Sequence, residues 1–522
     1  MRVAAWLPPR RAELVAVALV TAVAALLRFP GLSRVPPGLW VDEAVQALQG
    51  EAFGAGRSLP DLAQIKFPEW PVWCAIEAAS VRIFGLSILA ARYPAALAGT
   101  LTVPLAWWTG RMLLGPVGGI GAAAFLACSF WHVQASRVGI APVMTPAEGL
   151  LVALLLFAGV RRAMEGGPST RKASLRAVAA GAVAGLGCWG YAAGWSLPAW
   201  GVVAAAAAAG GPRRRTVAAF AAGVGLLVVP LLADGGRRTE HVRTVGIAPP
   251  AAVARAAALV AGNLVAAVEP DRESSWQNHP AGAARLSWIE RVAVLAGCAA
   301  AATGVPGMPV PGWLLPVWAA LALLPEALAG RMHLLRGIAM LAPLSLLAGA
   351  GAAAAAHVLV RSRGRVVRRA WAAAALGVVA ANAALTADHL YRRFARDPRV
   401  ASWYFAPAVE SSRFLAAAAA AGRRPLEVLP PLEYANAPIH RFLLAREIES
   451  GRIIPGVRRP GRDRVLHVAR DPWSHEPVLF LLGSPRFPRD RAVELVTLGE
   501  LLAAEAPPDS AAPQAPADAG PP

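Results

Sequence analysis

The feature that most constrains this chain is a recurrence of long apolar runs parted by short, arginine-rich segments. The runs fall at residues 13–28, 91–108, 118–134, 143–160, 175–191, 193–210, 216–233, 290–304, 312–328, 336–360 and 370–387. A membrane-spanning helix needs about 20 apolar residues, give or take a few, so the pattern predicts about eleven spans. Of the 522 residues, 56% are hydrophobic and 16% charged, with a mean hydropathy of +0.48. A soluble fold that apolar could not cover its surface with polar groups. The fold class read from these features is an all-α polytopic membrane protein.

Charge gives the orientation. The net charge of +19 sits largely in arginines that cluster between apolar runs, a pattern of cytoplasmic membrane loops and not of a nucleic-acid surface. With Arg2, Arg10 and Arg11 inside, the inner loops hold Arg111, then Arg161, Arg162, Arg171, Lys172 and Arg176, then Arg213 to Arg215, then Arg361, Arg363, Arg365, Arg368 and Arg369. Residues 29–90 and 234–289 are then outer loops, and everything after about 388 lies outside. The N-terminal run is followed by Arg28, Phe29 and Pro30 with no small-residue cleavage site, so it reads as a retained first span.

Residues 69–86 carry Trp70, Trp73, Glu77, Arg82 and Phe84, and read as an interfacial helix. The domain reading is 1–387 for the transmembrane part and 388–505 for a small extracytoplasmic α/β domain. Its strand-like runs are Leu426–Leu429, Val465–Val468 and Val478–Leu482. A Pro/Ala/Asp-rich tail, 506–522, is expected to be disordered. Cys74, Cys128, Cys188 and Cys298 lie apart in apolar stretches and read as small core residues.

The strongest chemical signal is Arg28-Phe-Pro-Gly-Leu-Ser-Arg34-Val-Pro-Pro-Gly-Leu-Trp40-Val-Asp42-Glu43. Two adjacent carboxylates follow a Pro/Gly-rich turn just past the first span. A carboxylate held at the membrane surface could deprotonate an acceptor hydroxyl beside a lipid-borne group. The same pair could instead cap the helix that runs to about Gly54. In the later outer loop, Glu269, Asp271 and His279 could bind sugar hydroxyls or a divalent metal. The three carboxylates of this loop, Glu269, Asp271 and Glu273, without a second histidine at ligand spacing make a poor zinc site.

This first outer loop resembles that of the glycosyltransferase C (GT-C) superfamily, nearest its protein O-mannosyltransferase and aminoarabinose transferase branch. The likeness continues in Phe84-Gly85, Ala91-Arg92-Tyr-Pro-Ala-Ala-Leu, Trp131-His132-Val-Gln-Ala-Ser136-Arg137-Val-Gly, Asn278-His279-Pro280 and Arg336, and covers roughly residues 15–360. The resemblance implies a membrane glycosyltransferase that moves a sugar from a polyprenyl-phosphate donor to an acceptor on the outer face, with inversion. It implies that Asp42 is the base, that Glu43 binds the acceptor or shapes the site, and that no metal or other cofactor is essential. Arg92, Arg137 and Arg336 become candidate ligands of the donor phosphate, or snorkelling anchors. Lys66, one of two lysines in the chain, is either a further phosphate ligand or a solvated loop residue. The acceptor could be protein, lipid or glycan. A competing reading from composition is a polytopic lipid or sugar transporter or flippase. It would need paired halves and mid-span charges, and Glu148 is the main such charge.

Overall fold

The computed structural model describes residues 10–56, 70–164, 170–207, 213–233, 284–304, 311–328, 335–360, 364–421, 426–428, 437–455, 465–470, 477–482 and 495–497, with isolated positions at 258–262. Two compact units divide at Tyr404 and Phe405, beyond the boundary at 387 read from hydropathy.

The first unit is helical: α1 (Arg11–Arg28), α2 (Val41–Gly54), α3 (Pro71–Phe84), α4 (Ile88–Cys128), α5 (Phe130–Ala135), α6 (Thr145–Met164), α7 (Thr170–Gly190), α8 (Ser196–Ala207) and α9 (Arg213–Ala233). Helices Trp288–Thr303, Leu314–Ala322, Leu324–Leu328, Leu341–Val360, Arg365–Asp388 and Pro398–Trp403 follow. Among the described residues, five helices are long and apolar enough to cross a membrane: Ile88–Cys128, Ala141–Ala158, Arg214–Ala233, Ile338–Leu359 and Arg369–Arg396. Shorter apolar helices lie at Ala192–Ala207 and Leu314–Ala327.

The sequence explains the departures from regular spans. Two expected runs, 91–108 and 118–134, lie within or beyond α4. Gly115 breaks that helix with φ 80°, a conformation costly for a residue with a Cβ, and Pro116 follows. The chain doubles back there, so a Cβ on Gly119 would sit 2.6 Å from the Trp107 carbonyl oxygen. The run at 118–134 stops at Cys128, because Ser129 is extended, and a short helix restarts at Phe130. The run at 312–328 is likewise two helices. Helices α7 and α9 meet through Gly181 and Gly223, where any Cβ would overlap the Phe220 and Val178 carbonyls of the facing helix. Small residues at such crossings let helix backbones approach closely in lipid.

Helix α3 has 14 residues, about 21 Å at 1.5 Å per residue, short of the roughly 30 Å hydrocarbon layer. Its inner face buries Trp73, Cys74 and Glu77 against α2 and α4, while Ile83 is exposed. None of the four cysteines forms a disulfide.

The second unit holds helices Ala406–Ala421, Ala437–Leu443 and Ala445–Glu449 with short strands. Strand β1 (Leu426–Val428) pairs parallel with β2 (Ile453–Pro455); β3 (Val465–Arg470) pairs antiparallel with β4 (Pro477–Leu482), which pairs antiparallel with β5 (Leu495–Thr497). Inside this unit Ser412 Oγ lies 2.8 Å from His440 Nδ1.

Candidate active site

The turn after α1 delivers the two carboxylates. Gly31 and Gly38 take positive φ, 62° and 82°, which lets the backbone reverse twice before α2 begins. Asp42 and Glu43 both fall in the first turn of α2, where backbone N–H groups favour negative charge.

Their environments are opposite. Glu43 is fully buried and accepts four hydrogen bonds: from the Trp40 N–H at 2.9 Å, the Gly139 N–H at 2.9 Å, Arg92 Nε at 2.8 Å and Arg92 Nη2 at 3.1 Å. Glu43 is thus the residue that caps the helix start, as one half of a capping box. Asp42 is half-buried, and among the described residues no hydrogen bond reaches its carboxyl. Burial, and then the charge of Glu43, push its pKa from 3.8 up to about 7.

The predicted basic residues separate just as clearly. Arg92 is fully buried and uses all five of its N–H donors. Nε and Nη2 serve Glu43; Nη1 donates to the Leu32 and Pro36 carbonyls at 3.1 and 2.8 Å, and Nη2 also to Gly38 at 2.8 Å. A guanidinium has five N–H groups, so none is left for a phosphate. Arg137 is buried and donates to the carbonyls of Leu27, Arg28, Pro30 and Val35, with its guanidinium 5.5 Å from the Tyr391 ring centroid. Both arginines clamp the backbone of the Asp42 loop. They do not face outward as phosphate ligands.

Arg336 differs. It is half-buried. Of the three predicted arginines, Arg336 is therefore the one that is not fully buried. Lys66, Glu269, Asp271 and His279 lie outside the described residues. Among the described residues, no group of three or more His, Cys, Asp or Glu could hold a metal ion.

Several residues of this region escaped the sequence reading. Tyr404 is buried; its carbonyl accepts from the Leu39 N–H at 2.7 Å, its hydroxyl from Gln134 Nε2 at 3.0 Å, and its ring packs edge-on against Trp40. The Tyr391 hydroxyl donates to the Pro30 carbonyl at 3.1 Å. Tyr93 packs at a tilt against both Phe29 and Phe84. The chain has only five tyrosines, and Tyr93, Tyr391 and Tyr404 serve this end of the first unit. That scarcity was the available signal, since tyrosine gathers where a bilayer meets water.

Comparison with solved structures places this arrangement. The chain is similar to ArnT from Cupriavidus metallidurans bound to undecaprenyl phosphate, with a TM-score of 0.51 and 16% identity over 84% of this chain and 89% of that one. This protein shares its fold with ArnT. The likeness of fold extends to the archaeal oligosaccharyltransferase AglB from Archaeoglobus fulgidus, in complex with an inhibitory peptide and a dolichol-phosphate. There the TM-score is 0.51 and the identity 14%, over 83% of this chain but 64% of that longer one. No family model and no curated protein sequence matches the chain. The apolar helices and this fold support an integral membrane protein.

Proposed function

We propose that this protein is an inverting membrane glycosyltransferase that moves one sugar from a polyprenyl-phosphate donor to an acceptor hydroxyl on the extracytoplasmic face. The observation that carries the reading is the split between Asp42 and Glu43. One carboxylate is spent on the scaffold, and the other stands half-buried with a pKa near 7. A base poised near the working pH is the efficient choice for general-base catalysis.

In this mechanism Asp42 takes the proton as the acceptor oxygen attacks the anomeric carbon, and the bond to the lipid phosphate breaks on the opposite face. One displacement with one base inverts the configuration. Arg336 donates to the departing phosphate and offsets its charge. Glu43, Arg92 and Arg137 hold the loop that carries Asp42. Lys66, Glu269, Asp271 and His279, on the two outer loops, are proposed to contact the donor or acceptor. The lipid-phosphate donor is suggested by the ligands of the similar structures, undecaprenyl phosphate in ArnT and dolichol-phosphate in AglB.

The proposed topology has about eleven spans, a cytoplasmic N-terminus and the second unit outside as an α/β domain. The test is transfer of radiolabelled sugar from defined polyprenyl-phosphate donors by the purified protein. Labelled product made only with Asp42 intact supports the reading. Flipping of donor across vesicles without transfer would replace it with the transporter reading.

A further inference from the structure

The Arg285–Glu326 pair lies beside the proposed phosphate ligand but is part of no motif in the sequence. Both side chains are fully buried, and the contact is bidentate: Arg285 Nη2 donates to Glu326 Oε1 at 2.7 Å and Nη1 to Oε2 at 3.1 Å. The Arg285 guanidinium sits 5.5 Å from the Trp131 ring centroid. Two charges taken out of water in this way seldom add stability over an apolar pair, so their retention asks for another reason.

Their neighbour supplies one. The backbone at Gly337 rests directly on the pair: a Cβ there would lie 2.6 Å from Glu326 Oε2, 3.4 Å from Arg285 Nη1 and 3.5 Å from the Trp131 ring. Gly337 follows Arg336 in the chain. The ion pair is a fixed floor under the segment that presents Arg336.

We propose that Glu326 and Arg285 are positioning residues that fix the segment carrying Arg336, and so set its guanidinium for an anionic phosphate. The positioning claim stands on this geometry; the phosphate claim rests on the function proposed above.

The experiment uses the full-length protein in nanodiscs and two readouts. The first is the rate at which phenylglyoxal modifies Arg336, followed by mass spectrometry, which needs no donor. Glu326→Gln should raise that rate severalfold. Gly337→Ala, which removes no charge but pushes on the Glu326 carboxylate, should do the same with the fold intact by thermal melting. The second readout is binding of undecaprenyl phosphate. Arg336→Gln and Glu326→Gln should each weaken it about tenfold or more, and the double variant should be no weaker than the worse single one. Unchanged Arg336 reactivity in both Glu326→Gln and Gly337→Ala overturns the positioning role. So does a double variant whose losses multiply, because independent sites add in free energy. Raised reactivity with no binding of undecaprenyl phosphate by the wild type upholds the positioning role and defeats the proposed function instead.

Discussion

Glu43 and Arg92 form a bidentate ion pair with neither side chain exposed, Oε1 to Nε at 2.8 Å and Oε2 to Nη2 at 3.1 Å. Through it α2 is tied to the first turns of α4, and through the remaining Arg92 donors to the carbonyls of Leu32, Pro36 and Gly38. Removing one partner leaves the other charge buried and unpaired, at a cost of about 3–5 kcal/mol. Glu43→Gln and Arg92→Gln should both lower the thermal midpoint and the yield of folded protein, measured by fluorescence-detected gel filtration on heating. This differs from a Glu43 that only contacts acceptor, which would leave the melting curve in place.

The pH profile carries a signed prediction. Asp42 must be ionised to accept a proton, and its pKa is raised to about 7 by burial and by Glu43. Wild-type kcat/KM should therefore rise with pH through about 7. Glu43→Gln removes a neighbouring negative charge and leaves Arg92 uncompensated. Both changes favour the ionised form of Asp42, so in whatever protein folds the midpoint should move to lower pH. Initial rates from pH 5.5 to 8.5 test the direction, and an alkaline shift contradicts it.

The arginines should separate by phenotype. Arg336→Gln should raise donor KM or lower kcat by an amount worth roughly 1.5–3 kcal/mol with little effect on folding, as expected for a lost charge-assisted contact to phosphate. Arg137→Gln should instead destabilise the protein, since its donors hold the carbonyls of Leu27, Arg28, Pro30 and Val35. Kinetics paired with melting curves for the two variants distinguish the roles. An Arg137→Gln protein that melts normally but binds donor poorly would reverse the assignment.

The helical membrane architecture was legible because span length and arginine placement are one-dimensional signals. So was the first-loop motif, since its Pro and Gly positions set the turn and its acids are contiguous. What hydropathy could not reveal is which of two adjacent carboxylates points inward. That depends on Gly139 and Arg92, far along the chain, donating to Glu43. The same limit made Arg92 look like a phosphate ligand, because a buried guanidinium spent on carbonyls and one at a surface look alike in sequence. The Arg285–Glu326 pair was missed for a related reason: Glu326 sits in an apolar run and its partner comes from another element. Tyr404 was placed with the tail, yet it closes on Leu39 and Trp40.

The proposed topology predicts that single cysteines near Asp42 react with an impermeant maleimide from outside intact cells, while one at Arg363 reacts only after permeabilisation. Reversed labelling would place the Asp42 loop in the cytoplasm, on the wrong side for an extracytoplasmic transfer.

The central claim is that Asp42 is the base, and the most direct measurement is turnover by purified Asp42→Asn with a polyprenyl-phosphate sugar donor. Asn matches Asp in shape and as a helix-start residue but cannot take a proton. Folding and donor binding should match wild type, while kcat falls by about 10²–10⁴-fold. An Asp42→Asn enzyme turning over at close to the wild-type rate would contradict the account and move the search for a base to Glu269 and Asp271.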